Sequence, residues 1–395
     1  MNKQMLVLAK LITCLTLVLG LTVGWGADAA FATVDCDPTF VIPEGSRFTV
    51  LPTGTDDTAN LQCAFDAAVE AGPGSEVRLV AGAYHTGQIV VNEFHGSFYG
   101  AGDDDTHLYN LPDLAVAPDC WLNPPSAANP WPMLFSFVGG DLAIYGLAVH
   151  VVGGAPMLPW GDPVDPLDEM VCAVMVVGRE AYAEVHHVLM EGEVSEHSPI
   201  GYNLFNGIYF EGLAEWLGQP APPISGSFSV HHSTFRTLAS GSPVYNLANA
   251  TVVISHNDYE YTFFAMDNAN LAGSYLEFSH NRVEGGQFGV FHYDSQPEDV
   301  GTALLIRNNV FDVEVIGVAL EQTFGEGNQC LLLGNNVQSA GDLGIYLGPG
   351  ITGCTVVGGA NKTNVLDLGI DNVLVGVNNM GSGVGPTIRT VRGMH

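Results

Sequence analysis

Apolar positions along the chain recur in short runs of alternating pattern, and between residues 251 and 337 the same run is written four times. Thr251-Val252-Val253-Ile254-Ser255-His256-Asn257 is echoed by Tyr275-Leu276-Glu277-Phe278-Ser279-His280-Asn281, then by residues 302–309 (TALLIRNN) and 329–336 (QCLLLGNN). Taking Ile254, Phe278, Ile306 and Leu333 as the apolar anchors gives steps of 24, 28 and 27 residues. Val230-His231-His232-Ser233 fits one step earlier, and Val185-His186-His187-Val188 fits two such steps or one enlarged step before that. A repeat of this length is the mark of a solenoid, whose coils bury their apolar faces only by stacking on neighbours. The runs are of strand length, separated by Gly, Asn and Asp, and no stretch inside a repeat has helical period.

The leucine-rich repeat has a similar period, but its Leu-x-x-Leu-x-Leu frame is missing. Three short strands per coil with Asn at the bend resemble the right-handed parallel β-helix of the pectate-lyase-like superfamily, an all-β fold. The Asn column, read as Asn257, Asn281, Asn309 and Asn336, suits a bend in the left-handed region, where each amide can also bond its stacked copy. Residues 53–58 followed by 59–71 read as a turn, a cap and one amphipathic helix with Leu61, Ala64, Phe65 and Ala68 on one face. Strands then begin at Val77-Arg78-Leu79-Val80. This order resembles the N-terminus of many proteins of that superfamily, in which the helix caps the open end of the coils. The resemblance covers roughly residues 50–375 and specifies fold far better than activity.

Residues 1–32 read as an export signal: Lys3 and Lys10, the apolar run 11–23, and Ala30-Phe31-Ala32 as a cleavage site. The expected mature chain is one β-helix domain over 33–380, with long loop insertions between about 103 and 225 and a tail over 381–395. No later segment is apolar for long enough to span a membrane. The expected location is periplasmic or extracellular. With 42 acidic against 11 basic residues the net charge is −31, which repels nucleic acid and, without bridging cations, polyuronates. Six cysteines follow the signal. Cys330 and Cys354 stand at equivalent places in consecutive coils, as a disulfide or as two stacked thiols; pairings among Cys36, Cys63, Cys120 and Cys172 stay open.

After each Asn bend comes a second motif, often opened by Gly. Alternation points Ile208, Val244, Phe264, Val290, Val318 and Ile345 inward. Tyr209, Tyr245, Ala265, Phe291, Ala319 and Tyr346 then form one outward column, and Glu211, Leu247, Asp267, Tyr293 and Glu321 a second. Aromatic rings between carboxylates on an exposed sheet are the chemistry of a glycan groove, because ring faces take sugar C–H faces and carboxylates take hydroxyls or protons. The residues expected to bind substrate are Tyr209, Tyr245, Phe291 and Tyr346, with Trp160 and Trp216 on flanking loops. Asp267, Glu321, Glu211 and Tyr293 are the catalytic candidates. Two rungs would separate Asp267 from Glu321 by roughly 9–10 Å, near the upper limit for an inverting glycosidase. His292 is expected to point into the core.

The active-site signatures of the resembled superfamily are not visible. There is no Asn-Thr-Asp, Asp-Asp and Gly-His-Gly set as in polygalacturonases, no Asp-Pro-His as in mannuronan epimerases, and no pectate-lyase calcium cluster with basic partners. A hydrolase is therefore expected over a lyase if the chain is an enzyme at all. A structural or substrate-bridging calcium is not indicated, and no cofactor is expected. The column His187, His232, His256, His280, Asn308 and Asn335 reads as a polar ladder beside the bend in preference to a soft-metal site. The expected function is binding of a neutral or weakly charged glycan, with cleavage as an extension. The alternative is a non-catalytic surface or adhesive β-helix. Oligomeric state is not legible.

Overall fold

The computed structural model describes residues 36–111, 134–151, 173–178, 182–193, 205–211, 225–245, 247–269, 271–293, 301–321, 328–338, 343–359 and 363–382. Among the described residues, every strand pairing apart from one antiparallel hairpin, Val41–Glu44 with Arg47–Val50, is parallel and joins one coil to the next. The hairpin precedes the strands that the sequence pattern suggested as the first. An 11-stranded sheet carries the strands that follow each coil's corner, from Ile89–Asn92 to Asn378–Ser382. A 19-stranded sheet holds the strands on both sides of the Asn bend, fused into one because Asp141–Val151, Tyr182–Gly192 and Gln329–Val337 run through that bend unbroken. The chain is a right-handed parallel β-helix, the hand favoured for parallel crossovers. The last strand ends at Ser382, two residues beyond the expected domain end at 380.

The single helix among the described residues, α1, spans Thr58–Ala71, and Leu61, Ala64, Phe65 and Ala68 are fully buried beneath it. Phe65 meets the edges of Phe94, Phe98 and Phe137 at 5.0–5.6 Å between centroids, so the helix seats an aromatic wedge in the open end of the coils. Asp57 precedes α1 but does not cap it through its side chain. Its carboxylate accepts from Thr53 N (2.7 Å) and His85 N (2.9 Å), tying the helix start to the first full coil. A disulfide, Cys36–Cys63, fastens the helix to the segment before it, and Cys330–Cys354 joins two successive coils. Both bonds fit folding in an oxidising compartment.

The polar spine is a ladder of buried amides: Asn257, Asn281, Asn309 and Asn335. Each Oδ1 accepts from the backbone N–H and side-chain Nδ2 of the Asn one coil earlier, at 2.9 and 3.2 Å for Asn281 and 3.1 and 3.0 Å for Asn335. Each Nδ2 also donates to an inner strand carbonyl, from Val230 O to Ile306 O. Ser233 begins the series by donating its N–H to Asn257 Oδ1. The last member is Asn335, not Asn336, and the matching anchor is the buried Leu332, not the exposed Leu333. The final step is thus 26 residues, because Gly334 and not Asn335 stacks on Asn308.

That preceding position, and not the ladder Asn, holds the left-handed backbone. Gly146, His187, His232, His256, His280, Asn308 and Gly334 have φ between +52° and +65°. Gly pays no steric cost there, and Asn and His are the other residues enriched in it. The four imidazoles stack at 4.9–5.5 Å within 8° of parallel. His186 and His231 stack in the adjoining column and place Nδ1 2.9 Å from Nδ1 of His187 and His232. Each such contact needs one protonated and one bare nitrogen. Among the described residues no three His, Cys, Asp or Glu side chains are disposed to hold a metal.

A second corner explains the Gly that opens each later motif. Gly207, Gly241, Ala265, Gly289, Gly317 and Gly344 stack in register where the chain turns into the 11-stranded sheet. A Cβ on Gly289 would lie 2.3 Å from Phe311 Cδ1, and one on Gly241 2.4 Å from Tyr259 Cε1. Large side chains fill the corner, so the backbone must come without one.

Replacing Asn281 or Asn309 with Ala should cost about 1–3 kcal/mol, since each deletion leaves buried groups on both neighbouring coils unpaired. Denaturant midpoints for the two variants check this; unchanged midpoints would make the ladder incidental. The histidine stack gives a second expectation. Burial and neighbouring imidazoles hold the His186 and His232 pKa values below the ordinary 6.5. The unfolded chain then binds those protons more readily, so stability should fall as pH drops below about 6.5. His232→Asn, which keeps a residue tolerant of the left-handed backbone, should flatten the acid limb of a Tm-versus-pH curve.

Candidate functional site

The 11-stranded sheet holds the strand positions of most candidate residues, and its register decides who stands beside whom. One column runs Tyr209, Pro243, Asp267, Phe291, Ala319 and Tyr346. The next holds Glu211, Tyr245, Ala269, Tyr293 and Glu321. Asp267 therefore shares a column with Phe291 and Tyr346, and Tyr245 lies with Glu211; the sequence reading had them the other way round. Met266 and Ser242, not Phe264 and Val244, stand level with Val290 and Ile208, so the sequence alignment of these two coils was two residues out of register; Ala265 and Met266 both face the core, and Phe264 packs outside the main core instead of within it. Leu247, expected outward, is buried in the core.

Asp267 is the organised group of this face. Ser240 Oγ donates to its Oδ1 and Tyr245 OH to its Oδ2, both through short contacts. Burial raises the Asp267 pKa above the ordinary carboxylate value, and the two donated bonds act against that rise without cancelling it. Beside it lies a separate aromatic group. Phe263 and Phe264 are buried, whereas Phe288 and Phe291 are half-exposed and meet Phe264 at 5.2 and 5.4 Å. Tyr245 and Tyr346 are also half-exposed, and Tyr245 stacks on Tyr209 at 5.5 Å. Tyr209 itself is only 4% exposed, so it supports Tyr245 and does not form part of an open surface.

On the inner side of the same strands, His292 is buried as expected. Its Nδ1 pairs with Asn268 Oδ1, and desolvation pushes its pKa down to about 4, which keeps the ring neutral. It serves the core.

The other candidates divide. Glu211 and Tyr293 occupy strand positions next to Tyr245 and Glu321 in the second column. Trp160 and Trp216 lie outside the described residues. Glu321 is half-exposed on the same face as Asp267 but two rungs along and two residues across, a Cα separation of about 12 Å instead of the 9–10 Å expected. Glu211 is offset from Asp267 in the same manner. Ser240, Phe264 and Phe288 were missed. Phe264 and Phe288 each stand just before the Ala or Gly of the corner motif, so a column of residues preceding that position was the available signal.

The sequence matches no protein-family model and no curated protein. Solved structures give distant matches. A family 28 exopolygalacturonase from Yersinia enterocolitica aligns at 11% identity and TM-score 0.46, covering 86% of this chain and 74% of its own. An exopolygalacturonase from Thermotoga maritima aligns at 9% identity and TM-score 0.34, covering 83% and 87%. A mannuronan C-5 epimerase A-module from Azotobacter vinelandii aligns at 12% identity and TM-score 0.25, covering 85% and 93%. Among the described residues no helix is long and apolar enough to cross a membrane.

Ser240→Ala should raise the Asp267 pKa further by removing one donor to the ionised form. Carbon-detected NMR titration of the carboxyl reads this directly; a pKa that stays put or falls would mean the bond does not favour the carboxylate.

Proposed function

We propose that this protein is an exported β-helix that binds a neutral or weakly charged glycan along the outer face of its 11-stranded sheet. The observation that carries the reading is the grouping of a hydroxyl-bonded carboxyl, Asp267, with the half-exposed rings of Tyr245, Phe288, Phe291 and Tyr346 on one sheet face. Half-exposed rings offer apolar surface to sugar C–H groups, and the carboxyl and phenol offer polar partners. The net charge of −31 disfavours polyanionic glycans. The disulfides and the signal-like N-terminus support a periplasmic or extracellular site of action.

Cleavage is the weaker extension, and the register supplies the reason. An inverting pair needs carboxyl groups about 6.5–9.5 Å apart and a retaining pair about 5–5.5 Å. Asp267 is flanked in its column by Pro243 and Phe291, so no carboxyl stands beside it on either adjacent rung, and Glu211 and Glu321 are each about 12 Å away at Cα. Binding without turnover is thereby favoured, with Asp267, whose raised pKa suits a proton donor, as the group on which any hydrolysis would rest.

Glycan-array binding followed by product analysis tests this. Phe291→Ala should weaken binding by about 0.5–1.5 kcal/mol, the scale of one aromatic contact. Asp267→Asn preserves shape and should abolish any turnover while the melting temperature holds. Unchanged binding in Phe291→Ala, Tyr346→Ala and Asp267→Asn would remove this face from consideration.

A further inference from the structure

The 19-stranded sheet holds an open groove of about 540 Å³ on the strands preceding the Asn bend, away from the sheet of Asp267. It comes from a local break in an otherwise crowded column. In register, outward positions run Glu76, Ser97, Ala143, Glu184, Ser229, Val253 and Glu277. Ser97, Ala143 and Ser229 are too small to fill their share of the face, so the floor sinks. The neighbouring column, His95, Asp141, Tyr182 and Ser227, forms one rim.

Tyr182 is the distinctive member. It is 55% exposed, and among the described residues no ring stacks on it. The aromatic column on the opposite side of the floor differs: Tyr99, Tyr145, His186 and His231 stack face to face at 4.9–5.2 Å, which consumes their ring faces. Glu184 is held by His231 Nε2 at 3.0 Å, and Asp141 is exposed at the rim. No Lys or Arg lines the groove.

We propose that this groove is a second glycan-binding site, taking a short stretch of neutral oligosaccharide with one sugar ring packed on Tyr182. The inference rests on the glycan reading above and assigns it a second surface. The volume is that of a small-ligand cleft, about 300–1,000 Å³. The shallow Ser and Ala floor lets a flat ring approach the backbone, while serine hydroxyls, Asp141 and Glu184 accept or donate to sugar hydroxyls. With two carboxylates and no Lys or Arg in its lining, the groove disfavours uronates and sulfated chains. A groove remote from the Asp267 face would hold a polymer at two points and gain from effective concentration.

Isothermal titration with cello-, xylo-, manno- and maltohexaose tests it, with EDTA present and trigalacturonate as the anionic control. The proteins compared are the wild type, Tyr182→Ala, Ala143→Gln to fill the floor, and Phe291→Ala for the other face. Tyr182 and Ala143 face outward, so both groove variants should keep the wild-type melting temperature. At least one neutral hexasaccharide should bind at a site that survives Phe291→Ala, and Tyr182→Ala and Ala143→Gln should each weaken that site about five- to tenfold. If Phe291→Ala removes all binding, the groove is not a site and the function proposed above stands. If only the groove variants lose binding, the groove stands and the Asp267 face falls. Binding of trigalacturonate in the groove, or of no neutral hexasaccharide by any protein, overturns the inference.

Discussion

Everything in this molecule depends on coils meeting in register, and the buried asparagine ladder is the interaction that enforces it. A strand slip of one residue would turn core side chains outward. The ladder opposes that slip because each Asn amide is bonded to the backbone and side chain of its neighbour, at 2.8–3.2 Å, in a core where an unpaired amide has no water to turn to. The cost of a mismatch falls on two coils at once. Hydrophobic stacking supplies the larger driving force and also opposes a one-residue slip, but it discriminates less against a two-residue slip, which keeps Val, Leu and Ile facing inward.

The two bends solve different problems. At the Asn bend the chain must pass through left-handed backbone, and the occupants are Gly, His or Asn. At the other corner the constraint is volume: Phe235, Tyr259, Phe311 and Val337 fill the space, so Gly or Ala stands opposite. This second constraint also sets the candidate site. By turning Ala265 and Met266 both inward, the corner brings Asp267 out between Ser240 and Tyr245 and alongside Phe291.

Electrostatics runs in opposite senses on the two sheets. His186 and His232 resist protonation, so acid weakens the stacks they belong to, whereas burial of Asp267 favours its protonated form, so acid relieves it. The acidic composition, with few cations to answer it, makes both proposed surfaces unfavourable for polyanions. A binding role on two faces is consistent with a scaffold whose repeated coils place side chains about 4.8 Å apart along its length.

The sequence by itself determined the solenoid, the strand character of its repeats, helix α1 to within one residue at its start, and the proximity of Cys330 to Cys354. These are legible because local periodicity and one-dimensional stacking make sequence distance a measure of spatial distance. It also identified the outward face on which Asp267, Phe291, Tyr346 and Glu321 lie. Tertiary structure alone decided the register: Asn335 and not Asn336 in the ladder, Asp267 beside Phe291 and not in the column of Glu321, Tyr209 buried beneath Tyr245. A Gly can replace Asn at a left-handed bend, and a corner can turn two successive residues inward. Neither event leaves a mark in the hydrophobic pattern, because both are settled by which side chains already occupy the space in the adjacent coil.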